Sequence, residues 1–236
     1  MSVIFIDSFT PGGIVKNGLV LHLDAAQPSS YPGSGITWTD LTGNGINGTL
    51  TNMDSTNFNS TNGGFLTFNG NDEFVDCGNS SALDFTNNLT LSAWFYRNGF
   101  QPSTDSGIAG KIQETGGYKG YMLWYNSNTV DFYFNNGTKT NSTTFINSNT
   151  WYNVVGTYNG ATSSIYINGT LDASANTTVS IDASTSNFNV GKYVVTSTSS
   201  SRHFAGRISN VLAYNRALSA AEVTQNFNAL KSRFGL

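Results

Sequence analysis

The chain has 236 residues, a net charge of -3 and only 11% charged residues, against roughly a quarter in an ordinary soluble protein. Its 11 Lys and Arg are scattered rather than gathered into a stripe, which argues against a phosphate-tracking nucleic-acid surface. No apolar run approaches the ~20 residues of a membrane span, and the single Cys77 permits no internal disulfide, so a hydrophobic core has to supply the stability.

Residues 1–17 read equally as an N-terminal arm or as an outer strand of the domain that fills 18–236. The early run "VIFI" has neither a basic leader nor the length of a secretory core, so export by that route is not expected. From Gly18 onward, short runs rich in β-branched and aromatic residues alternate with Gly, Asn, Asp and Ser, the pattern of antiparallel sheets. The first predicted strands are "LVLHLD" (19–24), "GFLTFNG" (64–70), "EFVDCG" (73–78) and "LTLSAWFYR" (89–97). "GIAGKI" (107–112), "YMLWYN" (121–126), "TVDFYFN" (129–135) and "TWYNVVGTYN" (150–159) follow. "SSIYING" (163–169), "FNVGKY" (188–193) and "HFAGRISNVLAY" (203–214) complete the set, enough for two packed sheets. "NSNT" (126–129) and "NGATS" (159–163) supply residues that tolerate positive φ and read as hairpin turns.

After Ser219 the apolar period changes from two to that of a helix. Ser219 and Glu222 fit a capping box, and the helix is expected over 219–231, with Val223, Phe227 and Leu230 on one buried stripe. Its expected role is to pack over the sheets.

Six segments in this order resemble the laminin G-like, concanavalin A-like jelly-roll family over about residues 18–230. They are "GLVLHLDA", "WTDLTGNGINGTL", "LTFNGNDEFVDCG", "LTLSAWFYR", "NTWYNVVGTYNGATSSIYINGT" and "FAGRISNVLAYNRALSAAEV". The resemblance implies an all-β sandwich of two antiparallel sheets with a short C-terminal helix. The opening "GLVLHLDAAQPSSYPGSGITWTDLTGNGINGTL" and the ending "NFNALKSRFGL" further resemble single-domain structural proteins of tailed bacteriophages. That likeness implies a virion component, a head or tail decoration assembled in the host cytoplasm and displayed in multiple copies at the virion surface. Its expected partners are capsid or tail proteins, contacted through residues 1–14 or the tail carrying Arg233, Phe234 and Leu236, and a cell-surface glycan; neither nucleic acid nor membrane is expected. The alternative is a free carbohydrate-binding, lectin-like module, with a glycanase the weaker third reading.

The fold also hosts glycanases, whose retaining chemistry needs two carboxylates about 5 Å apart. No run of acidic residues at alternate strand positions occurs here: Asp72 and Glu73 are adjacent, and Asp131 stands alone in "VDFYF". His22 and His203 lack a Gly-x-Ser-x-Gly elbow, so no enzyme is expected. Relatives of the fold hold structural Ca²⁺ in oxygen-rich loops, and the resemblance makes Asp40 in "TDLTGNG" and Asp72 in "NGNDEF" the candidate ligands. Turns stabilised by Asp and Asn account for the same loops.

Sugar binding needs an aromatic platform beside polar groups, because a pyranose face stacks on Trp or Tyr. Trp124, Tyr133 and Tyr121 lie in adjacent predicted strands. Alternation puts Met122 and Trp124 on one face and Tyr121, Leu123 and Tyr125 on the other, so one set belongs to the core. Trp38, Tyr31 and Phe100 fall in predicted loops and are candidates for exposed contacts, whereas Trp94 and Trp151 sit inside strands and are expected in the core.

Overall fold

The alternating runs pair into two eight-stranded antiparallel sheets, seen in a computed structural model that describes residues 13–99, 104–113, 117–135, 137–193 and 202–236. In chain order the first strands are β1 (Leu19–Asp24), β2 (Thr37–Trp38), β3 (Gly48–Thr51), β4 (Phe58–Asn59), β5 (Phe65–Asn69) and β6 (Phe74–Asp76). Next come β7 (Leu89–Arg97), β8 (Asp105–Gln113), β9 (Lys119–Asn126), β10 (Thr129–Phe134), β11 (Thr138–Asn141) and β12 (Trp151–Tyr158). The last are β13 (Thr162–Ile167), β14 (Thr170–Asn176), β15 (Asn189–Val190), β16 (Lys192–Tyr193), β17 (Arg202–His203) and β18 (Ala205–Tyr214). One helix, α1 (Ala220–Leu230), follows. Among the described residues, no helix is long and apolar enough to cross a membrane.

The first sheet runs β14-β13-β12-β7-β18-β5-β4. β5 and β1 share one edge of β18, β5 alongside 205–208 and β1 alongside 210–214. The second sheet runs β11-β10-β9-β8-β15-β6-β3-β2. Between the sheets lies the main core, where Phe68, Phe95, Phe132 and Phe134 are fully buried. Each such ring contributes about 1.5–3 kcal/mol by leaving water. The predicted hairpin at 126–129 forms with Ser127 and Asn128 both at positive φ, as a tight two-residue turn between right-twisted strands requires.

Two predicted strands are each divided in the structure. "FNVGKY" breaks at Gly191, whose φ of +78° carries the chain out of the second sheet, so β15 stays in that sheet while β16 leaves it. β16 then pairs with β17 as a separate hairpin, with Lys192 opposite His203 and Tyr193 opposite Arg202. The Phe204 N–H donates to the Gly191 carbonyl at 2.9 Å and closes the hairpin's base, and β18 resumes the first sheet.

The helix starts where the capping box places it. Ser219 Oγ accepts from the Glu222 N–H, and the Glu222 carboxylate accepts from the Ser219 N–H at 2.9 Å. Val223 and Leu230 are buried, Phe227 is half-buried, and a 3-10 turn over Lys231–Phe234 continues the chain. Asn226 is also buried, and its amide accepts from the Val15 N–H at 2.7 Å and donates to the Tyr214 hydroxyl at 2.9 Å. These bonds tie the segment after Gly13 to the helix. Residues 1–12, including "VIFI", lie outside the described residues.

Candidate functional site

β9 and β10 pair so that one set of side chains enters the core and the other faces away from it. Tyr121, Leu123, Tyr125, Val130, Phe132 and Phe134 point inward. Met122, Trp124, Asp131 and Tyr133 lie on the outer face, with Trp124 opposite Asp131 and Met122 opposite Tyr133. Tyr118, just before β9, and Tyr193, from the β16–β17 hairpin, complete an aromatic cluster.

The hairpin reaches this face because β8 carries Gly107. A Cβ there would lie 2.5 Å from the Lys192 carbonyl oxygen, so the two backbones meet only across a glycine. Tyr193 thereby arrives with its ring centroid 5.5 Å from that of Trp124 and 6.3 Å from that of Tyr118. Tyr133 meets Trp124 edge-on, at 5.2 Å and 78°. Tyr133 and Tyr193 are buried, whereas Trp124 and Tyr118 are half-buried and present ring surface to solvent.

A polar rim is fixed beside the rings. Asp131, fully buried, accepts from Asn126 Nδ2 at 3.0 Å, Lys139 Nζ at 3.2 Å and Asn141 Nδ2 at 2.7 Å. Asp105, opposite Asn126 in the β8–β9 pairing, is ion-paired with Arg202 of the hairpin. Burial pushes the Tyr133 phenol above its usual range, with Tyr118 beside it adding to the rise. The Trp124 Nε1–H is shut off from water without a hydrogen-bond partner among the described residues, a donor whose unmet bond costs roughly 1–3 kcal/mol.

Among the residues singled out in the sequence, the structure brings Trp124 and Tyr133 together and separates the other three from them. Tyr121 is a core residue: it is 1% exposed, its hydroxyl donates to the Leu83 carbonyl at 2.9 Å, and its ring packs on Phe85. Tyr31 and Trp38, expected to be exposed, are 1% and 0% exposed inside the main core. Trp38 sits on the two-residue strand β2, too short for alternation to reveal, and the Tyr31 ring folds onto Phe58 while its hydroxyl donates to the Gly35 carbonyl. Phe100 lies outside the described residues. Tyr118 and Tyr193 were missed; no local pattern marks them, since Tyr193 joins the cluster only because Gly191 turns the chain. The signal for Asp131 was present, as a charge in phase with Tyr133 inside an otherwise apolar run.

The loops of the two metal candidates are built from their own side-chain bonds. Asp40 Oδ1 accepts from the His22 and Thr42 N–H groups, both at 3.0 Å, and Oδ2 accepts from Thr42 Oγ1 at 2.6 Å and the Ile46 N–H at 3.4 Å. A carboxylate already holding four donors does not fit a Ca²⁺ ligand. Asp72 is exposed, and its Oδ1 accepts from Asn69 Nδ2 at 2.9 Å. Among the described residues, no three His, Cys, Asp or Glu converge on one point. Among the described residues of the outer face, three carboxylates have nitrogen partners: Asp131 as above, Asp105 with Arg202, and Asp76 with Asn187 Nδ2 at 2.9 Å. The arrangement is a stacking surface with fixed dipoles at its rim.

Comparison with known proteins places residues 69–224 in the family model described as the concanavalin A-like lectin/glucanases superfamily. The search of curated proteins gave no significant match. Among solved structures, the Trypanosoma rangeli sialidase in complex with sialic acid is 20% identical with a TM-score of 0.69, over 94% of this chain and 34% of the sialidase. The chain therefore spans about a third of that protein's length. Domain 4 of AbnA, a GH43 extracellular arabinanase from Geobacillus stearothermophilus solved with arabinotriose, is 17% identical with a TM-score of 0.65, over 90% of this chain and 99% of the domain. The binding domain of botulinum neurotoxin serotype G is 16% identical with a TM-score of 0.63, over 89% of this chain and 50% of that one. At these identities the likeness is one of fold.

Proposed function

Because the chain belongs to the concanavalin A-like lectin/glucanase superfamily, we propose that it is a non-enzymatic glycan-binding protein, carried as a surface component of a tailed-phage particle. The observation that carries the binding reading is the aromatic cluster of Trp124, Tyr133, Tyr118 and Tyr193 beside the polar rim of Asp131, Asn126 and Lys139. A pyranose laid on the open ring surface of Trp124 and Tyr118 buries its C–H face, while its hydroxyls meet Asn126 and Lys139, the accessible members of the rim. Support for a non-catalytic role comes from the pairing of Asp131, Asp105 and Asp76, which leaves none of these three as a free acid or nucleophile. The arabinanase domain, solved with arabinotriose, gives an instance of a sugar ligand on this fold.

Support for the virion reading is the likeness of the opening and closing segments to phage structural proteins. Part of the C-terminal tail is already engaged within the chain. Phe234 is buried against Trp94 and Trp151, and Arg233 holds Asp24. Attachment to a capsid or tail protein then falls to residues 1–14 or to the exposed Leu236.

A glycan array probed with the purified protein tests the binding reading. At least one glycan class should be retained, and Trp124→Ala should weaken that binding by about tenfold or more, as loss of a stacking ring implies. Retention of nothing, or equal retention by the variant, would remove it. Mass spectrometry of purified particles from a phage encoding the chain tests the virion reading, and its absence from them would leave a free lectin.

A further inference from the structure

On the far side of the molecule a cavity of about 330 Å³ lies on the outer face of the first sheet, opening to solvent. Its lining combines apolar side chains, Ile14, Leu41 and Leu230, with the polar Lys16, His22, Asp24 and Arg233. Asp24, 1% exposed, has its acceptors occupied. Oδ1 takes the Ala26 N–H at 3.0 Å and Arg233 Nη1 at 2.9 Å, and Oδ2 takes the same Nη1 at 2.9 Å. Burial alone would raise the Asp24 carboxyl, but His22 and Arg233 beside it hold it below the usual range, so the one acid here is ionised and matched.

What is unmatched at this cavity is on the donor side. Arg233 has further N–H groups on Nε and Nη2 with no partner among the described residues, and neither has the exposed Lys16 ammonium. His22 is 93% buried, and its Nε2 has no hydrogen-bond partner, with Asp24 Oδ2 standing off at 3.8 Å. Among the described lining residues, two cations against one carboxylate leave an excess of positive charge, together with apolar side chains that would cover a hydrocarbon body.

We propose that this cavity binds a small organic carboxylate, its anionic group held by Arg233 and Lys16 and its apolar body packed on Ile14, Leu41 and Leu230. A purely polar anion such as phosphate would leave the apolar side chains uncovered, and a neutral ring would leave the excess positive charge uncompensated. The site is independent of the aromatic face on the second sheet.

Titration of the full chain with benzoate, followed by two-dimensional NMR, tests this, with benzamide as the neutral isostere and phosphate as the polar anion. Benzoate should bind with a dissociation constant in roughly the millimolar range or tighter and shift resonances of residues lining the cavity. Benzamide and phosphate should bind at least about fivefold more weakly. Lys16→Gln, at an exposed position, should weaken benzoate by about fivefold, and Leu41→Trp should fill the cavity and abolish binding. Trp124→Ala should leave benzoate binding unchanged, which separates this site from the glycan reading. Equal binding of benzoate and benzamide, tighter binding of phosphate, shifts confined to other surfaces, or full affinity in Lys16→Gln would each overturn the proposal. Should Leu41→Trp fail to fold, the isostere comparison and Lys16→Gln decide the matter.

Discussion

Each sheet turns an aromatic cluster away from the core, and the two clusters have opposite fates. On the first sheet Phe65, Trp94 and Trp151 are covered by the end of the chain, which lays Phe227 and Phe234 over them. Phe234 stacks on Trp94 at 4.1 Å and 16°, and Phe227 stacks on the same indole at 5.6 Å and 10°. On the second sheet Tyr118, Trp124 and Tyr133 receive, among the described residues, Tyr193 from the β16–β17 pair, and Trp124 and Tyr118 stay half-open. The strands beneath are of the same kind, with aromatic residues alternating in phase on both faces. What distinguishes a packed layer from a binding surface is how much later chain is spent covering it.

Three measurements would break or sharpen that contrast. The largest effect is expected at the covered cluster. Trp94→Ala removes a buried indole stacked by two rings and should cost about 3–5 kcal/mol in urea unfolding. At the open cluster Trp124→Ala should cost about 1–2 kcal/mol, because the ring is half-solvated in the folded state and packs edge-on. Equal losses at the two positions would show that both clusters are structural and would dissolve the distinction. The smallest effect concerns the helix that does the covering. Hydrogen bonds from Arg216 and from Ser219 outweigh the effect of burial and hold the Glu222 carboxyl at about 2, against an ordinary 4.5. A depressed acid stabilises the fold fully above its unfolded value, and that stability is lost as pH falls from about 4.5 toward about 2. The melting temperatures of the parent and Glu222→Gln should therefore differ at pH 7 and converge within that window; a constant gap would place the helix's acid sensitivity elsewhere.

Legibility in the sequence followed the same divide between local and distant causes. Alternation in "YMLWYN" separated Met122 and Trp124 from Tyr121, Leu123 and Tyr125, because a strand's period of two is a local property. The capping box placed the helix start for the same reason. Trp94 and Trp151 were expected to be buried and are, yet against the C-terminal segment rather than between the sheets, since their cover lies far along the chain. Tyr31 and Trp38 read as exposed because their segment carries almost no periodic pattern. Their burial comes from distant partners in the main core, with Trp38 on the short edge strand β2 and Tyr31 against Phe58. The helical stripe of Val223, Phe227 and Leu230 says nothing of Asn226, whose amide finds its partners in Val15 and Tyr214, far away along the chain.

The closure of the hairpin at Gly191 and Phe204 has a consequence for how such a surface changes over time. The described strands of the insert, Lys192–Tyr193 and Arg202–His203, pair with each other outside both large sheets, while Asn189 and Val190 on one side and Ala205 onward on the other keep their own sheet partners. Tyr193 therefore adds a ring to the outer face without supplying a rung to either large sheet. A substitution at that one position would change what the face offers a ligand and leave both ladders as they are. Descendants of such a chain could sample new ligands at Tyr193 while inheriting the sandwich intact.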